Sequence, residues 1–105
     1  MAQKDKDFIT VLHAPVDGEA KALNIKNTLK MMQTLVGGLI EPVPLRLSKA
    51  EWKAWSATAK RLGVPHIKNP ILIVNEEGLL HQLPQNPHFP FCVGNVFLME
   101  DKDLK

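Results

Sequence analysis

The 105-residue chain carries 13 basic and 11 acidic side chains, a net charge of +2, and 45% apolar residues. This length and composition predict one globular domain, residues 1–105, with charges too balanced to favour binding to a nucleic-acid duplex. Its single cysteine, Cys92, excludes an internal disulfide framework.

The N-terminal residues predict a frayed charged tail followed by a strand. Residues 1–7 form the tail, and the alternating segment Phe8–Ala14 is rich in β-forming residues. Turn residues at 15–18 end this strand. The next tract, residues 19–26, fits either a helix or a short strand that pairs back on the first one, and the residues leave both open.

A first helix is predicted at residues 29–36, with Asn27 or Thr28 as its cap. Its core-facing residues are spaced at i, i+3 and i+7: Leu29, Met32 and Val36. Gly37 or Gly38 is expected to adopt the left-handed conformation that ends the helix.

A strand is expected at residues 39–45, after the first helix. Pro42 and Pro44 lack N–H groups, so this strand should lie at a sheet edge or present that side to solvent.

A second helix is predicted at residues 48–62. Ser48 and Glu51 have the spacing of a capping box, and Gly63 ends the helix. One face of this helix is predicted to carry four apolar residues: Trp52, Trp55, Ala59 and Leu62.

Residues 71–83 predict a β-hairpin formed by two apolar runs around a four-residue turn. Asn75 is expected to accept a hydrogen bond from the backbone two residues later. Gly78 is expected to take a positive φ in a following bulge. The second strand of this hairpin would begin at Leu79.

The remaining residues predict a proline-rich loop at 84–90 and a last strand at 91–99, interrupted at Gly94 and Asn95. Residues 100–105 are predicted to form a charged flexible tail. The elements together predict an α+β fold: a mainly antiparallel sheet of about five strands with two helices packed on one face.

Four segments also carry a resemblance. They are Leu35-Val36-Gly37-Gly38-Leu39-Ile40-Glu41, Val74-Asn75-Glu76-Glu77-Gly78, Leu83-Pro84-Gln85-Asn86 and Val93-Gly94-Asn95-Val96. In this order the chain resembles the domain of unknown function 3846 family of small bacteriophage, plasmid and mobile-element proteins. The resemblance implies a compact α+β fold and a mobile-element origin, and it implies no activity. Residues 48–68 depart from the family pattern and are interpreted as an inserted helix.

Asparagines beside glycine or proline are the main candidates for ligand contact. An amide side chain offers a donor and an acceptor together, so it can bind a nucleobase edge or a ribose; the alternative is that it bonds its own backbone. Adjacent carboxylates, a nearby histidine and an arginine add further polar groups. The predicted ligand-binding residues are Arg46, Asn75, Glu76, Glu77, His81, Asn86 and Asn95.

The second helix is the candidate surface for a protein partner. Trp52 and Trp55 can anchor an interface, with Lys49 and Lys53 beside them. Packing of both indoles in the core is the alternative.

Catalysis has less support. No zinc-binding spacing of His and Cys is present, and Cys92 lies between apolar neighbours as a buried structural thiol would. We therefore predict no catalytic residue, metal or cofactor.

The expected function is binding without turnover. By analogy with small phage proteins that sequester nucleotide signals, the chain is expected to be an anti-defence accessory protein that captures a nucleotide-derived signal or a host factor. The alternative is an inhibitor or adaptor that uses the Trp-bearing helix against a host nuclease or defence complex. We expect a location in the host-cell cytoplasm, no membrane partner, no nucleic-acid partner, and a cavity formed between protomers of a homo-oligomer.

Overall fold

The computed structural model describes residues 8–45, 47–64 and 67–104. In this part of the chain, five antiparallel strands form one sheet in the order β2-β1-β5-β4-β3. The strands are β1 (Phe8–Ala14), β2 (Lys21–Lys26), β3 (Ile40–Pro44), β4 (Pro70–Asn75) and β5 (Val96–Glu100). The helices are α1 (Leu29–Val36) and α2 (Lys49–Arg61), followed after β5 by a short 3-10 helix (Asp101–Asp103). The predicted α+β class and five-stranded sheet are confirmed.

The first two strands form a hairpin, which settles the alternative left open by the sequence at residues 19–26. Phe8 pairs with Lys26 at one end and His13 pairs with Lys21 at the other. The strand form is favoured because it gives β1 a second neighbour, and β1 then pairs with β5 on its other side.

The strands alternate between two faces, and each face buries its own apolar cluster. Leu12, Leu72 and Leu98 lie in register on one face, and α2 packs over this cluster. Phe97 and Ile73 belong to the opposite face, which α1 covers. The helices therefore cover opposite faces of the sheet, whereas the sequence placed both on one face. The apolar residues of β4 and β5 are consecutive, so they point alternately to the two faces of the sheet, and both faces require cover.

Both helix starts follow their predicted capping residues. Thr28 caps α1 by accepting a hydrogen bond from the Met31 N–H at 3.2 Å, and Gly37 ends the helix with a φ of 80°. Ser48 and Glu51 form the capping box of α2, with bonds of 2.8 and 3.1 Å. In α1 the stripe is shifted, because Leu29 is exposed while Met32 and Val36 are buried.

The tract interpreted as an insertion is part of the core. Ala59, Val64 and Ile67 are buried in the cluster under α2. Trp52, Trp55 and Leu62 are half-buried against the same cluster, as the predicted apolar face requires. Without this tract one face of the sheet would lose its cover.

Strand β3 lies at a sheet edge, as its prolines predict. Val43 and Pro44 pair with Leu72 and Ile71 of β4, and β3 has no second neighbour in the sheet order. Since Pro42 and Pro44 carry no N–H, they leave no unused donor at this edge.

The predicted hairpin at residues 71–83 is wrong in its second half. Residues 76–82 form turns, and Leu79 and Leu80 are 82% and 74% exposed. The physical reason is that β4 already pairs with β3 and β5, so neither of its edges can accept another strand. Gly78 does not have the expected positive φ; Gly94 does, at 78°.

Both ends of the last strand differ from the prediction. It begins only at Val96, while Val93 makes a single bridge to Gln85. At the other end the predicted tail is wrong, because Glu100 is buried and Leu104 packs against the core.

The predicted tail at residues 1–7 lies outside the described residues. None of the described helices combines the length and apolar character needed to cross a membrane.

Candidate functional site

Residues 76–95 form an ordered loop across one end of the sheet. The Gly94 N–H donates to the Pro84 carbonyl at 2.7 Å, and the Asn86 N–H donates to the Cys92 carbonyl at 2.9 Å. The Gln85 side chain donates to the Pro90 carbonyl at 2.8 Å. These bonds close the loop on itself, so its surface is defined without a second regular strand.

Asn86 fastens this loop to the sheet. Its Nδ2 donates to the carbonyls of Ala14 and Gly94 at 2.8 and 2.9 Å, and its Oδ1 accepts from the N–H groups of His88 and Phe89 at 2.8 and 3.1 Å. The side chain has no exposed surface. Its donors and acceptor are thus used within the fold. Asn86 therefore presents no polar atom to a ligand, contrary to the ligand-binding role predicted from the sequence.

Asn75 and Asn95 also bond the chain's own backbone. The Asn75 side chain donates to the Val36 carbonyl at 3.1 Å and accepts from the Glu77 N–H at 2.8 Å, the turn predicted from the sequence. Asn75 is only 6% exposed. Asn95 is exposed and accepts from the Val16 N–H at 2.8 Å. The three amides lie at one end of the sheet as expected, but they organise its loops.

The four segments that carry the family resemblance meet at this end. A Cβ added to Gly38 would lie 2.8 Å from Asn75 Nδ2, and one added to Gly94 would lie 2.7 Å from Leu83. Gly78 is packed just as closely on Val93. These segments therefore contact one another in the fold, and these contacts assign them no ligand.

The charged residues predicted beside the amides do not form one group, because only Glu77 and His81 of those described are in contact. The His81 Nε2 atom lies 3.3 Å from a Glu77 carboxylate oxygen at an exposed position, where such a contact stabilises the turn by little because solvent screens it. Glu76 lies instead at the edge of a neighbouring groove. Arg46 lies outside the described residues.

The groove beside Glu76, which we call the acidic groove, has a volume of about 320 Å³. It joins the start of β3 to the loop and is apolar inside, with carboxylates as its charged groups. Its lining residues are Glu41, Val43, Val74, Asn75, Glu76, Gly78, Leu79, Phe91, Cys92 and Val93. Leu79 and Phe91 leave much of their apolar surface exposed there. Carboxylates at the rim would repel a phosphate.

The two tryptophans of α2 have different surroundings. Trp55 stacks on Phe89, which is completely buried. It also meets the His88 ring edge-on at 6.2 Å, and His88 Nε2 donates to the Gly18 carbonyl at 2.9 Å. This aromatic group borders an open groove of about 260 Å³ that Glu19 and Arg61 also line. Trp55 is therefore packed within the fold, and no feature of the sequence indicates its contact with Phe89.

Trp52 borders two grooves on the outside of the molecule. The lysine groove, of about 430 Å³, is lined by Lys49, Trp52, Lys53, Ser56, Ala57 and Lys60. Residues 49, 53, 56 and 60 follow one stripe of α2, because residues three or four apart lie on the same side of a helix. The structure thus adds Ser56 and Lys60 to the predicted pair Lys49 and Lys53, and their helical spacing was the available signal.

The second groove, the β3-end groove, lies between the end of β3 and the start of α2. Its volume is about 510 Å³, and its lining residues are Pro44, Leu45, Leu47, Ser48, Lys49, Trp52, Lys68, Asn69, Pro70 and Asp101. Glu100 fixes one wall of it by accepting hydrogen bonds from the Lys68 and Asn69 N–H groups at 2.7 and 3.0 Å.

Burial by itself raises the pKa of the Glu100 carboxyl. The hydrogen bonds from Asn69 and Lys68 and the charge of Lys102 outweigh that effect and hold the pKa below its ordinary value.

The described residues bring no three His, Cys, Asp or Glu side chains together as a metal site. Cys92 is half-buried, packs against the core, and donates its N–H to the Phe89 carbonyl at 2.8 Å. The lysine groove offers an indole with ammonium groups, and the acidic groove offers apolar side chains with carboxylates.

No protein-family model, curated protein or solved structure matches the chain. The resemblance stated from the sequence stays a prediction.

Proposed function

We propose that this protein binds without catalysis, as an anti-defence accessory protein of the phage and mobile-element type, and sequesters a phosphate-bearing, nucleotide-derived signal in the lysine groove. The observation that carries the proposal is the position of Trp52 beside Lys49, Lys53 and Lys60 along one groove of α2. The origin in a mobile element comes from the sequence resemblance alone.

The lysine groove has the two kinds of group that a nucleotide needs. The indole of Trp52 offers a flat apolar face on which a base can stack. The lysine ammonium groups supply positive charge and hydrogen-bond donors for phosphate oxygens. Ser56, on the same stripe, adds a hydroxyl that can donate or accept.

The location differs from the one that the sequence favoured. The turn amides Asn75 and Asn86 are bonded to backbone, and Glu41 and Glu76 line the groove that Asn75 also lines. A ligand that carries phosphate is attracted to the lysines and repelled by these carboxylates. The proposal therefore keeps the class of ligand and moves its site to α2.

The alternative function is inhibition of a host nuclease or defence complex through the same helix. It is favoured by the partly exposed indole of Trp52 between two grooves, since aromatic anchors in such positions dominate many interfaces. The lysines would then select an acidic surface on the host protein. Trp55 does not contribute, because it is stacked on Phe89.

Calorimetric titration with ADP-ribose, cyclic AMP and inorganic phosphate tests the proposal. We expect a nucleotide to bind more tightly than inorganic phosphate, because only the nucleotide can stack on Trp52. Trp52→Ala, or Lys53→Gln with Lys60→Gln, should weaken binding by about tenfold or more, whereas the matched pair Lys26→Gln with Lys30→Gln should not. Equal losses from both lysine pairs would mean that net charge alone is responsible. Absence of heat for all three ligands, together with Trp52-dependent binding to an acidic protein, would favour the alternative.

A further inference from the structure

We propose that two copies of this protein associate through β3, related by a two-fold axis, so that the acidic groove of each copy receives the β3-end groove of the other. The inference does not depend on the ligand proposed above, and it identifies a second copy of the chain as the occupant of both grooves.

The two grooves lie at opposite ends of the same edge strand. Glu41 and Val43, in the first part of β3, line the acidic groove, whereas Pro44 and the adjacent Leu45 line the β3-end groove. When two such strands lie antiparallel, edge to edge, the start of each strand meets the end of the other. A two-fold axis therefore brings unlike grooves together twice and closes the assembly at two copies.

Charge and apolar surface in the two grooves are complementary. The acidic groove carries Glu41 and Glu76; among the described residues that line the β3-end groove, Lys49 and Lys68 are the basic ones and Asp101 is the acidic one. Opposite charges across an interface favour the correct pairing and disfavour like-with-like contacts.

Both grooves also expose apolar side chains that this contact would cover. Leu79 is 82% exposed and Phe91 is 43% exposed in the acidic groove. Leu45 and Leu47 are half-buried in the β3-end groove. Removing this surface from water supplies the favourable free energy of association, and the charges set the register.

The prolines at the β3 edge explain why side chains, and not backbone hydrogen bonds, form this contact. Pro42 and Pro44 cannot donate hydrogen bonds to a further strand, so β3 does not extend the sheet into a second copy through a ladder. Lys49 and Trp52 line both the β3-end groove and the lysine groove, whereas Lys53, Ser56 and Lys60 line only the lysine groove, so the contact does not use those three.

A charge exchange tests the dimer. One variant carries Glu41→Lys with Glu76→Lys, and the other carries Lys49→Glu with Lys68→Gln. Light scattering should give twice 11.7 kDa for the unaltered protein. Each variant alone should dissociate, with a dissociation constant raised at least about tenfold by like charges, and an equal mixture of the two should recover the dimer mass. Recovery on mixing also shows that both variants are folded.

Control pairs with the same change in net charge lie away from β3: Asp17→Lys with Glu19→Lys, and Lys26→Glu with Lys30→Gln. These should remain dimers. A monomer mass for the unaltered protein, dimers in both exchange variants, or no recovery in a mixture whose circular dichroism is native would each overturn the proposal. The first exchange variant leaves the lysine groove unchanged, so it should still bind nucleotide as a monomer, which separates this test from that of the ligand.

Discussion

The indole of Trp55 stacks on the phenyl ring of Phe89, with ring centroids 4.7 Å apart and planes inclined by 17°. This contact joins α2 to the loop at residues 76–95. Helix α2, which was interpreted as an insertion, therefore supports the loop that closes the sheet. We expect Trp55→Ala to lower the free energy of unfolding by about 3 kcal/mol, because it leaves a cavity beside a fully buried ring.

Trp52→Ala provides the comparison on the same helix. Its side chain borders open grooves, so we expect a smaller loss of stability, measured for both variants by urea unfolding. A double-mutant cycle with Phe89→Leu should show coupling of about 1 kcal/mol for Trp55 and none for Trp52. Equal losses for the two tryptophans would contradict the assignment of their separate roles.

Removal of the Asn86 side chain should loosen the loop. In Asn86→Ala the carbonyls of Ala14 and Gly94 and the N–H groups of His88 and Phe89 lose their partners in a buried position. We expect a loss of about 3 kcal/mol or more in unfolding free energy, and faster hydrogen exchange at the His88 and Phe89 amides.

Asn95→Ala is the matched control, because the Asn95 side chain is exposed and its one bond is to the Val16 N–H. Its cost should be about 1 kcal/mol or less. If Asn86→Ala were equally mild, the loop would be held by contacts other than this amide.

Glu100 should make stability depend on acidity. Its pKa in the folded protein lies below the ordinary value of 4.5, so the unfolded chain takes up the proton first as the pH falls. The stabilisation is therefore complete above that value and is lost as the pH drops through the lower folded pKa. Glu100→Gln should remove this dependence and lower stability at neutral pH by about 2 kcal/mol, because the Lys68 and Asn69 N–H groups lose a charged acceptor.

Urea unfolding of both proteins between neutral and strongly acidic pH measures the effect. Glu19→Gln is the control, since Glu19 is exposed and lies away from β3, and it should change stability by about 0.5 kcal/mol or less. If the stability of Glu100→Gln depended on acid as that of the parent does, another carboxyl group would be responsible for that dependence.

His13, like Glu100, should make the folded protein less stable as the pH falls, but in a higher pH range. Burial and the nearby charge of Lys21 lower the pKa of its imidazole below 6.5, and both ring nitrogens are buried with no hydrogen-bond partner among the described residues. The unfolded chain thus binds this proton more readily, and the free energy of unfolding should fall as the pH drops below 6.5.

The His13→Leu variant should be more stable than the parent, with the difference growing under mild acid, because it removes two unpaired polar atoms and the group that titrates. Unfolding curves on either side of the histidine range check this. His81→Leu, a matched substitution at an exposed imidazole, should change stability little. A parallel pH dependence in parent and His13→Leu would contradict the role given to this residue.

Local signals in the sequence predicted the elements whose stability is local. Ser48 with Glu51 and the pair of prolines on β3 were sufficient, because caps and missing donors act within a few residues. The segment from Leu79 was not predictable in this way. Its apolar run is typical of a strand, but β4 has partners on both sides, and that competition is visible only in the whole sheet.

The candidate site was predictable to the extent that it lies on one element. Helical spacing places Lys49 and Lys53 on one stripe, whereas the apolar spacing placed Trp52 with Trp55; the structure brings Trp52 and the lysines together along one groove. The amides were misassigned because a turn asparagine that bonds a carbonyl far along the chain, as Asn86 does to Ala14, has the same sequence signature as one that faces solvent.

The most direct measurement of the central claim is the response of the two indole N–H signals in a nitrogen–proton correlation spectrum as ADP-ribose is added. The account predicts that the Trp52 signal and the backbone amides of Ser56 and Lys60 shift together and saturate, while the Trp55 signal, stacked on Phe89, stays in place. Saturable shifts confined to Asn75, Glu76 and Phe91 in the acidic groove, with Trp52 unmoved, would contradict it.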